Sequence, residues 1–288
     1  MIEVFGISLG ARLENIKTAH TNNIFSVKEV AGSNWNVLIS CAADGRVMQT
    51  VVDRVATKTL HQHNGRAHRL CMLPEPMSQS FLSCGEDGIV CLFDLRASFS
   101  PIMQIHVTDE NDDSMSVYSV SVNPVDTSVF AAGGSSNRAF LYDIRTQGSL
   151  GSLCPSHLLS KGDHITCLKY SRNGCNLIAS YNDEHIYSFD VSRHMRPPQR
   201  GNTTSAVSGD PDRDGYLQCF KGHRNLQTVK QLNYMGSRDE FIVSGSDCGH
   251  VFIWAASSGR VVHVIKGDSV GAVNCLVPHP YLPLLAVG

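Results

Sequence analysis

Residues 81–96 read FLSCGEDGIVCLFDLR. An apolar start, Phe81-Leu82, runs into the small residues Ser83, Cys84 and Gly85. Glu86-Asp87-Gly88 then breaks the run, and a second apolar stretch, Ile89 to Phe93, follows. Asp-Gly between two such runs is the chemistry of a tight hairpin turn, because glycine accepts the left-handed backbone that the turn demands. The segment therefore predicts strand, turn, strand. Its second strand ends on Asp94-Leu95-Arg96, and the ending returns as Asp143-Ile144-Arg145.

The plan itself recurs in VLISCAADGRVMQTV (37–51), VFAAGGSSNRAFLYDIR (129–145), LIASYNDEHIYSFD (177–190) and FIVSGSDCGHVFIWAAS (241–257). The equivalent turn positions are Asp44, Asp87, Ser136, Asp183 and Cys248, spaced by 43, 49, 47 and 65 residues. A period of about 40–45 residues with four short strands per unit is the signature of WD repeats. The fold class expected is all-β: a WD-repeat β-propeller with five complete blades. GSNWN (32–36), NPVDTS (123–128) and SRNG (171–174) read as loops joining first and second strands. The acidic VTDENDDSMS (107–116) reads as a solvated loop between blades. Residues 192–215, rich in Pro, Gly, Ser and charge, read as a flexible inter-blade loop that accounts for the widest spacing.

At the ends, MIEVFGISL and LENIKTAH look like a third and a fourth strand, and AVNCLVPHPYLPLLAVG like a first and a second. Residues 1–288 are thus expected to form one propeller domain with a half-blade at each end, cut from a seven-bladed ring. Pairing of the two halves into a six-bladed ring is the alternative.

With 288 residues, 42% hydrophobic and 17% charged, the chain can bury a core. A formal charge of −2 argues against a general nucleic-acid or membrane-surface binder. Neither a secretory signal nor a span of about 20 apolar residues is visible, so an intracellular protein, in nucleus and cytoplasm, is expected. The ten cysteines include no CxxC pair and read as reduced, mostly buried residues.

The segment resembles the WD-repeat family in residue chemistry as well as spacing. That resemblance implies a hydrogen-bonded chain locking each blade: a His before the first strand, a Ser on the second, an Asp in the turn, a Trp on the third. The residues matched to it are His20, Ser40 and Asp44, then Ser83 and Asp87, then His164 and Asp183, then His223, Ser244 and Trp254. The pattern is degenerate: Phe93, Tyr142 and Thr50 stand at the aromatic position, and Asp247 comes one place before Cys248.

Motifs for chemistry are weak. HQHNGRAH brings His61, His63 and His68 together, but the run falls where the repeat's own histidine belongs. No GxSxG, P-loop or HExxH occurs. Neither a metal, a cofactor nor an enzymatic activity is expected.

The two Asp-x-Arg endings resemble the WDxR box of proteins that dock onto the damaged-DNA-binding-protein-1 adaptor of cullin-4 RING ubiquitin ligases. ASYNDEHIYSFD, FKGHRN, TVKQLNY, SGSDCGHVFIW and VNCLVPHPYLPLLA look like the cullin-4-associated factor 8 branch of that group. The resemblance implies a substrate receptor for protein ubiquitination. Asp94, Arg96, Asp143 and Arg145 would contact the adaptor, the arginines forming a two-point clamp on neighbouring blades. The protein substrate is left unnamed. A general WD-repeat interaction scaffold, with the arginines purely structural, is the other reading.

Overall fold

The computed structural model describes residues 1–5, 12–194, 214–269 and 271–288. Among them are five four-stranded antiparallel sheets and two two-stranded ones, each a meander of consecutive strands. The described residues divide into two compact units, Met1–Val120 and Ser121–Gly288.

The first unit opens with the pair Ile2–Phe5 and Arg12–Ile16. Blade one follows as Ile24–Glu29, Val37–Ala42, Arg46–Val51 and Ala56–Gln62. Blade two is Ala67–Met72, Ser80–Gly85, Ile89–Asp94 and Met103–His106. In the second unit the boundary falls within Val117–Val122, the first strand of blade three, which continues through Val129–Gly134, Ala139–Asp143 and Gly148–Leu153. Blade four is Ile165–Tyr170, Asn176–Tyr181, Ile186–Asp190 and Gln218–Phe220. Blade five is Leu232–Met235, Phe241–Gly245, His250–Ala255 and Val261–Lys266. The pair Leu276–Pro278 and Leu285–Val287 closes the chain. The flexible loop expected at 192–215 lies outside the described residues from 195 to 213. At its near edge, Val191–His194 makes one helical turn.

Sequence explains the layering. The second strands Ser80–Gly85 and Val129–Gly134 are buried at every residue, on both faces. They are therefore written in small or apolar residues without polar alternation. The fourth strand of blade five, Val261–Lys266, is exposed throughout. The b–c turns are alike in three blades: Gly45, Gly88 and Gly249 take φ of 78°, 76° and 77°, where a Cβ would be strained. At Gly88 a Cβ would also come within 2.8 Å of the Met115 carbonyl oxygen.

Packing between blades one and two is a single apolar cluster. Ile39, Cys41, Val47 and Leu60 of one blade meet Leu70, Phe81, Cys91 and Phe93 of the other. Phe81 and Phe93 stack at 4.5 Å, nearly parallel, and both are fully buried. Burial pushes the Cys41 and Cys91 thiols up to about 12, so both stay neutral and act as small apolar residues. None of the ten cysteines is in a disulfide; Cys175, Cys248 and Cys275 are exposed rather than buried.

Truncating Phe93 removes one face of this cluster and leaves a cavity. Phe93→Ala is expected to destabilise the chain by about 3–5 kcal/mol. Urea unfolding followed by circular dichroism checks this; a loss below about 1 kcal/mol would show that the two blades repack without the ring.

Candidate interaction site at the blade turns

The polar groups at the b–c turns are built to be satisfied. In blade one, His20 places Nε2 at 2.9 Å from Ser40 Oγ and Nδ1 at 3.1 Å from Asp44 Oδ1. Asp44 also accepts the Thr21 and Arg46 amides. Blade two repeats the arrangement with His63, whose nitrogens lie 2.9 Å from Ser83 Oγ and 3.0 Å from Asp87. His63 is the histidine that the sequence list omits. It stands four residues before Ala67, as His20 stands four before Ile24, so the blade-one spacing alone identifies it. Burial by itself would raise the Asp87 carboxyl. The His63 hydrogen bond and the Asn64 and Ile89 amides outweigh that and hold it below the ordinary carboxylate range.

Blades four and five depart from the expected lock. Four residues before Ile165 stands Lys161, not His164, and its Nζ lies 3.3 Å from Glu184 Oε1. His164 abuts the strand and accepts the Asn182 amide through its carbonyl. Asp183 does not receive a histidine; it takes the left-handed corner of the turn at φ 54° and is exposed. In blade five His223 is buried with neither ring nitrogen hydrogen-bonded, packed edge-on to Trp254 at 5.5 Å. Ser244 Oγ donates to the Gly245 carbonyl at 3.2 Å, and Trp254 Nε1 donates to the Lys221 carbonyl at 2.8 Å. The His–Ser–Trp chain expected there is thus not made. In its place Asp247 pairs with Lys230, whose side chain is fully buried, and accepts the Leu226 and Gln227 amides. The displaced aspartate was visible in the sequence. Its lysine was not, because no WD pattern calls for one at that place.

In blade three Ser136 substitutes for the turn aspartate: its Oγ accepts the Arg138 amide at 3.2 Å, as Asp44 Oδ1 accepts Arg46 at 3.0 Å.

The opposite strand ends carry the Asp-x-Arg turns. Blade two's third strand runs six residues from beside Asp87 to Asp94, which spans about 20 Å. Asp94 Oδ1 accepts both the Arg96 amide at 3.0 Å and Nε at 2.9 Å, and Oδ2 accepts Nη2 at 2.8 Å. Arg145 closes on Asp143 in the same way, at 2.8, 3.0 and 2.6 Å. Blade four has Asp190 and Ser192 at this place, the Ser192 amide and hydroxyl both donating to Asp190. Each arginine is therefore forked onto its own aspartate through one edge. The side chains stay 52% and 70% exposed, so the second edge of each guanidinium faces water. The arginine bonds hold both carboxyls low, that of Asp143 at about 2, and keep both arginines charged. Each turn is thus closed by one edge of a guanidinium whose side chain is otherwise exposed.

His61, His63 and Cys91 bring one donor atom each within 4.8 Å, but both His63 nitrogens are engaged and the Cys91 thiol is neutral, which does not suit a metal. A 410 Å³ hollow beside Asp44, Arg66 and Glu86 is open to solvent, and the Glu86 carboxylate there binds the Arg66 amide and His68.

No family model matches the chain. Over 214 residues, 65% of its length, the chain is 31% identical to human DDB1- and CUL4-associated factor 6, and it is 30% identical to the mouse protein. It spans only 24% of those relatives' length. It is also 29% identical to WD repeat-containing protein 82 of Drosophila melanogaster, across 78% of this chain and 61% of that one. These likenesses support the WD-repeat family; they point to factor 6 and to general WD-repeat proteins rather than specifically to the factor 8 branch named from the sequence.

The two histidines make opposite predictions. His63→Ala orphans Ser83 and Asp87 and is expected to cost about 2–3 kcal/mol. His223→Leu removes two unsatisfied nitrogens and should leave stability unchanged or raised. Burial holds His223 at about 4. The unfolded chain therefore binds the extra proton first as pH falls, and this residue subtracts stability progressively from about pH 6.5 down to 4. Urea midpoints at pH 7 and pH 5 check both: the drop between the two should shrink in His223→Leu. A destabilised leucine variant with an unchanged drop would contradict the burial argument.

Proposed function

We propose that this chain, a member of the WD-repeat family, serves as a non-catalytic substrate receptor that docks on the damaged-DNA-binding-protein-1 adaptor of a cullin-4 ubiquitin ligase. The observation that carries the reading is the pair of Asp-x-Arg turns. Each holds a charged guanidinium in one orientation with a free edge outward. A planar fork of this kind suits carboxylates and carbonyls on a partner. The likeness to DDB1- and CUL4-associated factor 6 in two mammals supports it. On this reading the receptor makes and breaks no bonds. It raises the concentration of a target protein beside the ligase.

One observation favours the second reading, a general WD-repeat scaffold. Each fork already closes its own turn, so a structural role alone explains the Asp-x-Arg sequence. The similarity to WD repeat-containing protein 82 also covers more of both chains.

The two readings separate on the double variant Arg96→Ala, Arg145→Ala, measured against purified adaptor. Loss of two desolvated arginine contacts should weaken binding by well over tenfold. Exposed pairs of this kind add little to folding, so the melting temperature should hardly move. Lysine at both positions keeps the charge without the fork and should restore binding only in part. Wild-type affinity of the double alanine variant would leave the scaffold reading.

A further inference from the structure

The loop that follows the first Asp-x-Arg turn contains Ser100-Pro101, the one place in the whole sequence where serine or threonine precedes proline. From Asp94 to Ile102 the loop satisfies its own backbone. The Ala97 and Ser98 amides bond the Asp94 carbonyl, and the Ser100 amide bonds Ser98 Oγ at 3.0 Å. The Ile102 amide then rejoins the sheet on the Leu92 carbonyl. Ser100 is exposed, and its hydroxyl has no hydrogen-bond partner among the described residues. The chain bends at Phe99 and Ser100, and proline at the next position keeps Ser100 itself out of the helical region. Two basic side chains lie on or against this loop. Lys58 of blade one lies over the neighbouring Phe99 ring, 3.6 Å from its centre, and Arg96 stands four residues earlier with its outer edge unfilled. The one carboxylate on the loop, Asp94, is taken by Arg96. The matching turn of blade three, Asp143 to Gly148, has neither Ser-Pro nor an equivalent extension.

We propose that Ser100 is a phosphorylation site for a proline-directed kinase and that its phosphate weakens adaptor docking; the second half rests on the adaptor reading above. The Ser100 hydroxyl oxygen attacks the γ-phosphorus of ATP, the bond to the bridging oxygen breaks, and ADP leaves. The hydroxyl proton passes to the kinase's base. The product adds nearly two negative charges to the loop that carries Arg96 and whose Phe99 packs under Lys58. Its three acceptor oxygens would compete with a partner carboxylate for the basic groups of this loop.

The test treats the full chain with a proline-directed kinase and ATP, maps the phosphate by peptide mass spectrometry, and measures affinity for the purified adaptor before and after. A single phosphate on Ser100, absent from Ser100→Ala, with adaptor affinity lowered about tenfold at low salt, supports the proposal. That loss should narrow as salt screens the charges. Failure to modify folded chain at Ser100, while a peptide of residues 94–104 is modified, overturns the site. Phosphorylated Ser100 with unchanged affinity, where Arg96→Ala weakens binding, overturns the regulation and leaves the adaptor reading standing. Unchanged affinity in both overturns the adaptor reading and this regulation together, while the mapped phosphate remains a result of its own.

Discussion

Water reaches neither face of the second strand in these blades, and that constraint shapes the rest. Ser80–Gly85 and Val129–Gly134 are covered on both sides, so a polar side chain on them can find a partner only within the protein; Ser80 Oγ, at the start of its strand, finds none. Ser83 is fully buried and can be answered because His63 reaches it over the turn. His63 needs its other nitrogen satisfied, and Asp87 supplies the acceptor. The turn aspartate, the left-handed glycine after it and the histidine before the first strand are therefore one requirement met three times. Gly85 belongs to it as well: a Cβ there would sit 2.8 Å from the His63 ring nitrogen.

Much of this was legible in the sequence because the constraint acts on residue types at fixed spacing. The turn at Asp44-Gly45 and the turn at Asp87-Gly88 fix strand positions and register, and the small residues before them mark the buried strand. What escaped reading had kept the interaction and changed the chemistry. Lys161 with Glu184 and Lys230 with Asp247 replace histidine–aspartate pairs by lysine–carboxylate pairs. A pattern that searches for His finds His164 and His223 nearby and takes the wrong ones. The strand register separates them, because it counts backward from Ile165 and Ala67 rather than from the nearest imidazole.

The candidate site was half legible. Asp-x-Arg was found by its repetition, and the backbone bond from Arg96 to Asp94 follows from turn chemistry. The side-chain fork onto that same aspartate did not follow from spacing, since an arginine two residues along a turn can swing either way. Only the geometry shows that both copies make the same bidentate contact. Blade four keeps the aspartate and replaces the arginine by Ser192, so it retains the turn and loses the outward charge.

That fork has a thermodynamic side. A free arginine on a surface samples many rotamers, and a partner that binds it must halt the sampling. Here the aspartate already narrows that sampling, through two parallel hydrogen bonds, while the solvent-facing edge stays charged at any physiological pH. A side chain narrowed in this way has less freedom left to lose to a ligand, so shape and angle weigh more in what it accepts, and a flexible lysine of equal charge imitates it only in part.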